Sequence, residues 1–124
     1  MAPAPTVRGL RGATTVDEDT VVQVTERSQE LMRTLLERND LDEDDIISIV
    51  FTATPDVSST FPATAIRAIG FGAVPLLCAA EIAVPGSMPL CIRVLLHVHT
   101  TRSRDEMHHV YLHGAQGLRD DLPD

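Results

Sequence analysis

LCIRVLLHVHT, residues 90–100, alternates along its length, and its reading decides how the rest of the chain is understood. In extended backbone successive side chains point to opposite faces. Ile92, Val94, Leu96 and Val98 therefore share one face, and Cys91, Arg93, Leu95, His97 and His99 share the other. The first face is an aliphatic stripe suited to packing against a second layer. The second is half polar and carries an arginine in mid-strand. A guanidinium there is costly to bury unless something anionic meets it, so Arg93 calls for an ion pair within the chain or for an anionic ligand. The strand alone leaves both open.

Outward from this strand the chain reads as one domain spanning 1–124, with residues 1–6 and 120–124 expected as flexible tails. VRGLR, from Val7, reads as a short first strand. Thr20 to Arg38 follows as an amphipathic helix with Val21, Val24, Leu31 and Leu35 on one stripe. Thr20 and Gln23 have capping-box spacing, Asp17, Glu18 and Asp19 lie near the positive end of the helix dipole, and Asn39 ends the helix. The acidic run DLDEDD reads as a solvated turn before IISIVFTAT, a strand rich in β-branched residues. FPATAIRAIG suggests a short helix with Pro62 in its first turn and Gly70 as its stop. VPLLC and MPLCIRVLLHVHT read as strands parted by the turn AVPGS, and HHVYLHGA as the last strand. Alternation early and strands late give the α+β class: a mixed β-sheet with helices on one face.

Charge narrows the partners. The net charge is -8 at 124 residues, and such a field repels nucleic acid and anionic lipid. The ten basic residues are all arginine, which excludes a Schiff-base lysine or a P-loop lysine. Any local cation site must be built from arginine. No leader or membrane-length apolar run is evident, since the stretch 68–80 is broken by glycines and a proline, so a cytoplasmic chain is expected. Cys78 and Cys91 lack metal or disulfide spacing and read as reduced thiols. His97, His99, His108, His109 and His113 raise a metal site as a possibility, but no carboxylate or cysteine stands at ligand spacing, which favours structural histidines.

RGLRGATT, TATPDVSSTFPATAIR, VPLLCAAEI, CIRVLL and HVYLHGAQGLR occur in this order over nearly the whole chain. Together they resemble the AroH-class chorismate mutases, from about Val7 to Arg119. That resemblance implies isomerisation of chorismate to prephenate on the route to phenylalanine and tyrosine, without cofactor or metal. It also implies a homotrimer forming a pseudo-α/β-barrel with sites between subunits.

Carried over by position, Arg11 would hold a substrate carboxylate, Arg93 would stand beside the breaking ether oxygen, and Glu81 would contact the ring hydroxyl. Cys78 and Tyr111 would touch the substrate as well. Phe61, Ala63, Arg67, Leu76 and Leu77 would line or border the pocket, and Leu118 and Arg119 would close over it. Thr64 and Leu77 depart from residues familiar in the family, lysine and threonine. Residue chemistry alone leaves other readings: a Cys78 nucleophile with His97 or His99 as base, or a trimeric ligand-binding protein or imine deaminase on the same fold.

Overall fold

The computed structural model describes residues 4–119. Its regular elements are β1 (Thr6–Thr15), α1 (Val21–Arg38), β2 (Ile46–Ala53), α2 (Pro62–Arg67), β3 (Leu76–Ala80), β4 (Cys91–Thr100) and β5 (Val110–Tyr111). Short 3-10 segments cover Glu43–Asp45, Arg104–Glu106 and His113–Arg119. The strands form one mixed sheet in the order β3-β2-β4-β1-β5. The alternating strand β4 lies at its centre, antiparallel to both β1 and β2, while β3 and β5 add parallel edges.

The aliphatic stripe of β4 is the core. Ile92, Leu96 and Val98 are fully buried with Leu10 of β1, Phe51 of β2 and the α1 residues Val24, Leu31, Met32 and Leu35. Each such side chain contributes roughly 1.5–3 kcal/mol by leaving water. The helix sits close because β1 has a glycine beneath it: a Cβ on Gly12 would lie 2.9 Å from Leu35 Cδ1 and 3.1 Å from Leu31 Cδ1. Both α-helices join this one face of the sheet, α2 through Ile66.

Several local expectations change. Thr6 belongs to β1 rather than to a tail, because its backbone pairs with Thr100. Val21 is exposed, and Ser28 and Met32 complete the buried stripe of α1. Thr20 caps α1 by accepting from Gln23 N at 3.1 Å, yet the reciprocal half of the capping box is absent: Gln23 Oε1 instead accepts from the N–H groups of Asp17 and Glu18. The helix α2 stops at Arg67, before Gly70 takes a φ of 113°. The strand expected at VPLLC begins later and runs on to Ala80, since pairing with β2 from Ile49 to Ala53 fixes its bounds.

Candidate active site

The half-polar face of the sheet is open and carries Arg11, Arg93 and Thr52. Antiparallel register sets side chains from neighbouring strands opposite one another. Tyr111 of β5, Ala13 of β1, Arg93 of β4 and Thr52 of β2 consequently form one row, and Arg11, Leu95 and Val50 form the next. A cleft of about 510 Å³ opens over these rows, lined by Arg11, Thr52, Arg93, Tyr111 and Leu118 among others. Leu118 arrives from the segment His113–Arg119, which is tied back to β1 where Gly114 N donates to Thr15 Oγ1 at 2.9 Å.

Glu81 follows β3 directly, and its backbone N–H donates to Ala53 O at 3.0 Å. Its carboxylate is held on both oxygens: Oε1 lies 3.1 Å from Arg93 Nε, and Oε2 accepts from Thr52 Oγ1 at 3.0 Å. The ion pair raised as one reading of Arg93 is therefore present. It is lopsided in exposure, Glu81 keeping 17% of its side-chain surface and Arg93 45%. The guanidinium reaches the cleft while the carboxylate is largely enclosed.

The residues expected to share one site are divided between two places. Arg11, Arg93, Tyr111 and Leu118 line the first cleft, with Glu81 joined to it through Arg93. Phe61 and Cys78 line a second cleft of about 420 Å³ between the loop Thr54–Pro62 and the end of β3. Ala63 is buried inside α2 and Arg67 is exposed at its end. Leu76 packs partly against the core, whereas Leu77 is 70% exposed on the open face. Arg119 ends the last 3-10 segment, and its side chain lies outside the described residues.

Cys78 and Glu81 would meet only if the chain turned after Cys78. It does not: β3 stays extended to Ala80, and a separation of three in a strand puts the two side chains on opposite faces. Cys78 pairs with Phe51 on the helix side, away from His97 and His99, so the thiol and its suggested bases do not meet within one chain. His97 Nδ1 lies 3.1 Å from Ser48 Oγ, and His113 Nε2 lies 2.7 Å from Glu30 Oε1. Cys91 is fully buried, and burial pushes its thiol up, so it stays protonated.

Sequence reasoning missed the supports. Thr52 reads only as a strand residue, yet its hydroxyl is the donor that orients Glu81. Asp19 reads as a dipole residue, yet its carboxylate holds the loop before Phe61, accepting from Ser58 N, Ser58 Oγ and Ser59 N at 3.0–3.1 Å. These hydrogen bonds, that from Ser58 N foremost, hold the Asp19 carboxyl below its ordinary range. Asn39 is more than a helix stop. Buried at the end of α1, it donates from Nδ2 to Leu35 O and His108 O and accepts from His108 N at 2.7 Å. No short-range pattern announces a partner 69 positions away.

Two guanidiniums, a phenol ring and one guanidinium-paired carboxylate over an open sheet are groups able to hold a small anionic molecule. Comparison with known proteins narrows the class: residues 7–122 match the family described as chorismate mutase type I, and the chain belongs to that family. The chain is 46% identical over 117 residues to the chorismate mutase AroH of Thermus thermophilus, covering 94% of this chain and 96% of that protein. With the chorismate mutase AroH of Bacillus subtilis it shares 38% identity over 117 residues, covering 94% and 92%. A solved chorismate mutase from Clostridium thermocellum superposes with a TM-score of 0.87 at 45% identity, over 89% of this chain and 98% of that one.

Proposed function

We infer that this protein is a chorismate mutase, an isomerase that converts chorismate to prephenate in aromatic amino acid biosynthesis. The rearrangement breaks a carbon–oxygen bond as it makes a carbon–carbon bond within one molecule, so no nucleophile, base or hydride carrier is needed. What a protein can supply is selection of the compact conformer and fixed charge where charge develops. The observation that carries the reading is the aligned Arg93–Glu81 pair beside Arg11 and Tyr111.

Arg11 holds a carboxylate of the substrate, and Arg93 faces the ether oxygen on which negative charge grows. Glu81 accepts from the ring hydroxyl and opposes positive charge on the ring. It can do so without releasing Arg93 or Thr52, because each carboxylate oxygen has a second lone pair. Its role is electrostatic, with no proton transferred.

The protein acts as a homotrimer, a pseudo-α/β-barrel in which the first cleft of one copy is completed by the Phe61 and Cys78 region of a neighbour. Two features support this. The expected site residues fall on opposite faces of one sheet, and Phe61, Leu77 and Ile82 are 67%, 70% and 87% exposed. We place it in the cytoplasm, in keeping with its two free cysteines, Cys78 and Cys91; among the described residues no helix is long and apolar enough to cross a membrane.

Purified protein added to chorismate, without metal or cofactor, should remove chorismate absorbance and yield prephenate as the product. Light scattering on the same sample should give three times the chain mass. Binding of chorismate without turnover would establish the ligand-binding alternative, and a monomeric mass at full activity would remove the shared site.

A further inference from the structure

The parallel edge strand β5 spans only Val110–Tyr111, yet it must place Tyr111 beside Arg11 in the cleft. Its ladder with β1 pairs Gly12 with Val110 and Ala13 with Tyr111, and Leu112 N extends it by donating to Ala13 O at 2.9 Å. On the other side of this pair the ladder has no backbone rung for Arg11 N–H. A side chain replaces it: Arg11 N–H donates to His109 Nδ1 at 2.9 Å. His109 is set by its neighbour, since Asn39 clasps both backbone groups of His108. The connection thus runs from α1 through His108 and His109 into the backbone of Arg11.

We propose that His109 is a positioning residue, whose unprotonated Nδ1 fastens β1 to the start of β5 and so sets Arg11 beside Tyr111 for substrate binding. The assignment rests on the chorismate mutase reading for its consequence, but not for its geometry. Accepting from an amide requires a lone pair on Nδ1, so the ring proton of the neutral imidazole is on Nε2. Protonating Nδ1 removes the acceptor and turns it into a donor facing a donor.

A small cleft of about 290 Å³ beside the ring is lined by Arg8 and Arg11 from β1 and Arg104 from the segment Arg104–Glu106, with His108 adjacent in the chain. Its described lining holds no carboxylate. When His109 takes up a proton, the Arg11 amide loses its partner and the guanidinium it carries loses its fixed origin. The effect falls on substrate binding, because Arg93 on β4 and Glu81 just after β3 keep their own contacts.

Two variants separate this role from mere packing. Asparagine carries Oδ1 at the same branch point as Nδ1, accepts a hydrogen bond and does not titrate, whereas leucine fills space and accepts nothing. For His109→Leu, KM for chorismate should rise on the order of fivefold at neutral pH with kcat little changed, the size expected for one lost hydrogen bond. Wild-type KM should climb toward the leucine value as pH falls, while His109→Asn stays near the neutral wild-type value throughout. Exchange of the Arg11 amide with solvent should be fast in His109→Leu and slow in His109→Asn.

A leucine variant with wild-type KM, an asparagine variant with the same acid rise as wild type, or an Arg11 amide equally protected in both would overturn the proposal. If the wild type itself fails to convert chorismate, the functional reading falls, and the amide exchange still decides whether His109 holds the strand.

Discussion

Replacing Arg93 by lysine keeps the charge and tests the geometry. Arg93 Nε is engaged by Glu81 at 3.1 Å, which leaves the two Nη groups for a ligand in the cleft the residue lines. A guanidinium can serve both because its donors diverge from a rigid plane; an ammonium is a single point that must choose. In Arg93→Lys the enclosed Glu81 carboxylate, already fixed by Thr52, competes for that charge and holds it away from the ether oxygen. Loss of one preorganised donor in the transition state corresponds to about 3–4 kcal/mol, or a fall in kcat on the order of hundreds-fold. Stability should hardly move, since an ion pair with a half-exposed arginine is worth about 1 kcal/mol or less. Steady-state turnover and a thermal melt on the same preparation make the comparison. A lysine variant that keeps kcat within threefold, or one that loses activity only by unfolding, refutes the two-sided role of Arg93.

Other outcomes follow from parts of the structure away from Arg93. Asn39→Leu should destabilise the fold by about 3 kcal/mol, read from denaturant midpoints, because it leaves the N–H and C=O of His108 without their buried partner. Asp19→Asn should matter in a pH-dependent way. The folded carboxyl is held below its unfolded value, so its contribution is present above the ordinary carboxylate range and is lost as pH falls through the folded value. The difference in melting temperature between Asp19→Asn and wild type should therefore be largest at neutral pH and close in acid; a constant gap would exclude the clamp. A small thiol reagent applied to the native protein should spare the fully buried Cys91, and Cys78→Ser should keep its turnover, since the site needs no thiolate. Abolished turnover in Cys78→Ser, accompanied by a steep pH dependence near a thiol pKa and labelling of Cys78 by a substrate-derived electrophile, would restore a covalent mechanism.

The alternation of residues 90–100 foretold the central strand and both its faces, because that strand is buried on one side along its whole length. The helix α1 was readable for the same reason. Edges were harder. The bounds of β3 are set by pairing with β2, and β5 is two residues long, so neither leaves a local period to detect. Among the site residues, Arg11, Arg93 and Tyr111 converge because they lie on adjacent strands, a fact of register that sequence spacing does not contain. Resemblance supplied them, and physics supplied only the arginine in mid-strand. The five histidines raise a metal site from sequence, while the structure gives His109 to the amide of Arg11.

The strand order also governs how the chain reaches this state. β1, the first element made, finds its long partner only in β4, where Thr6 meets Thr100 and Thr15 meets Cys91. During synthesis the N-terminal strand therefore stays unpaired until most of the chain has emerged, with Leu10 and the apolar stripe of α1 lacking the surface that covers them. Closing so long a loop before any reward is gained slows folding, and it exposes an edge to other chains while it lasts. Refolding should accordingly be slow for a chain of this size, and yield should fall as protein concentration rises. Truncation before β4 should leave a fragment that aggregates, where one cut after β4 keeps the central ladder.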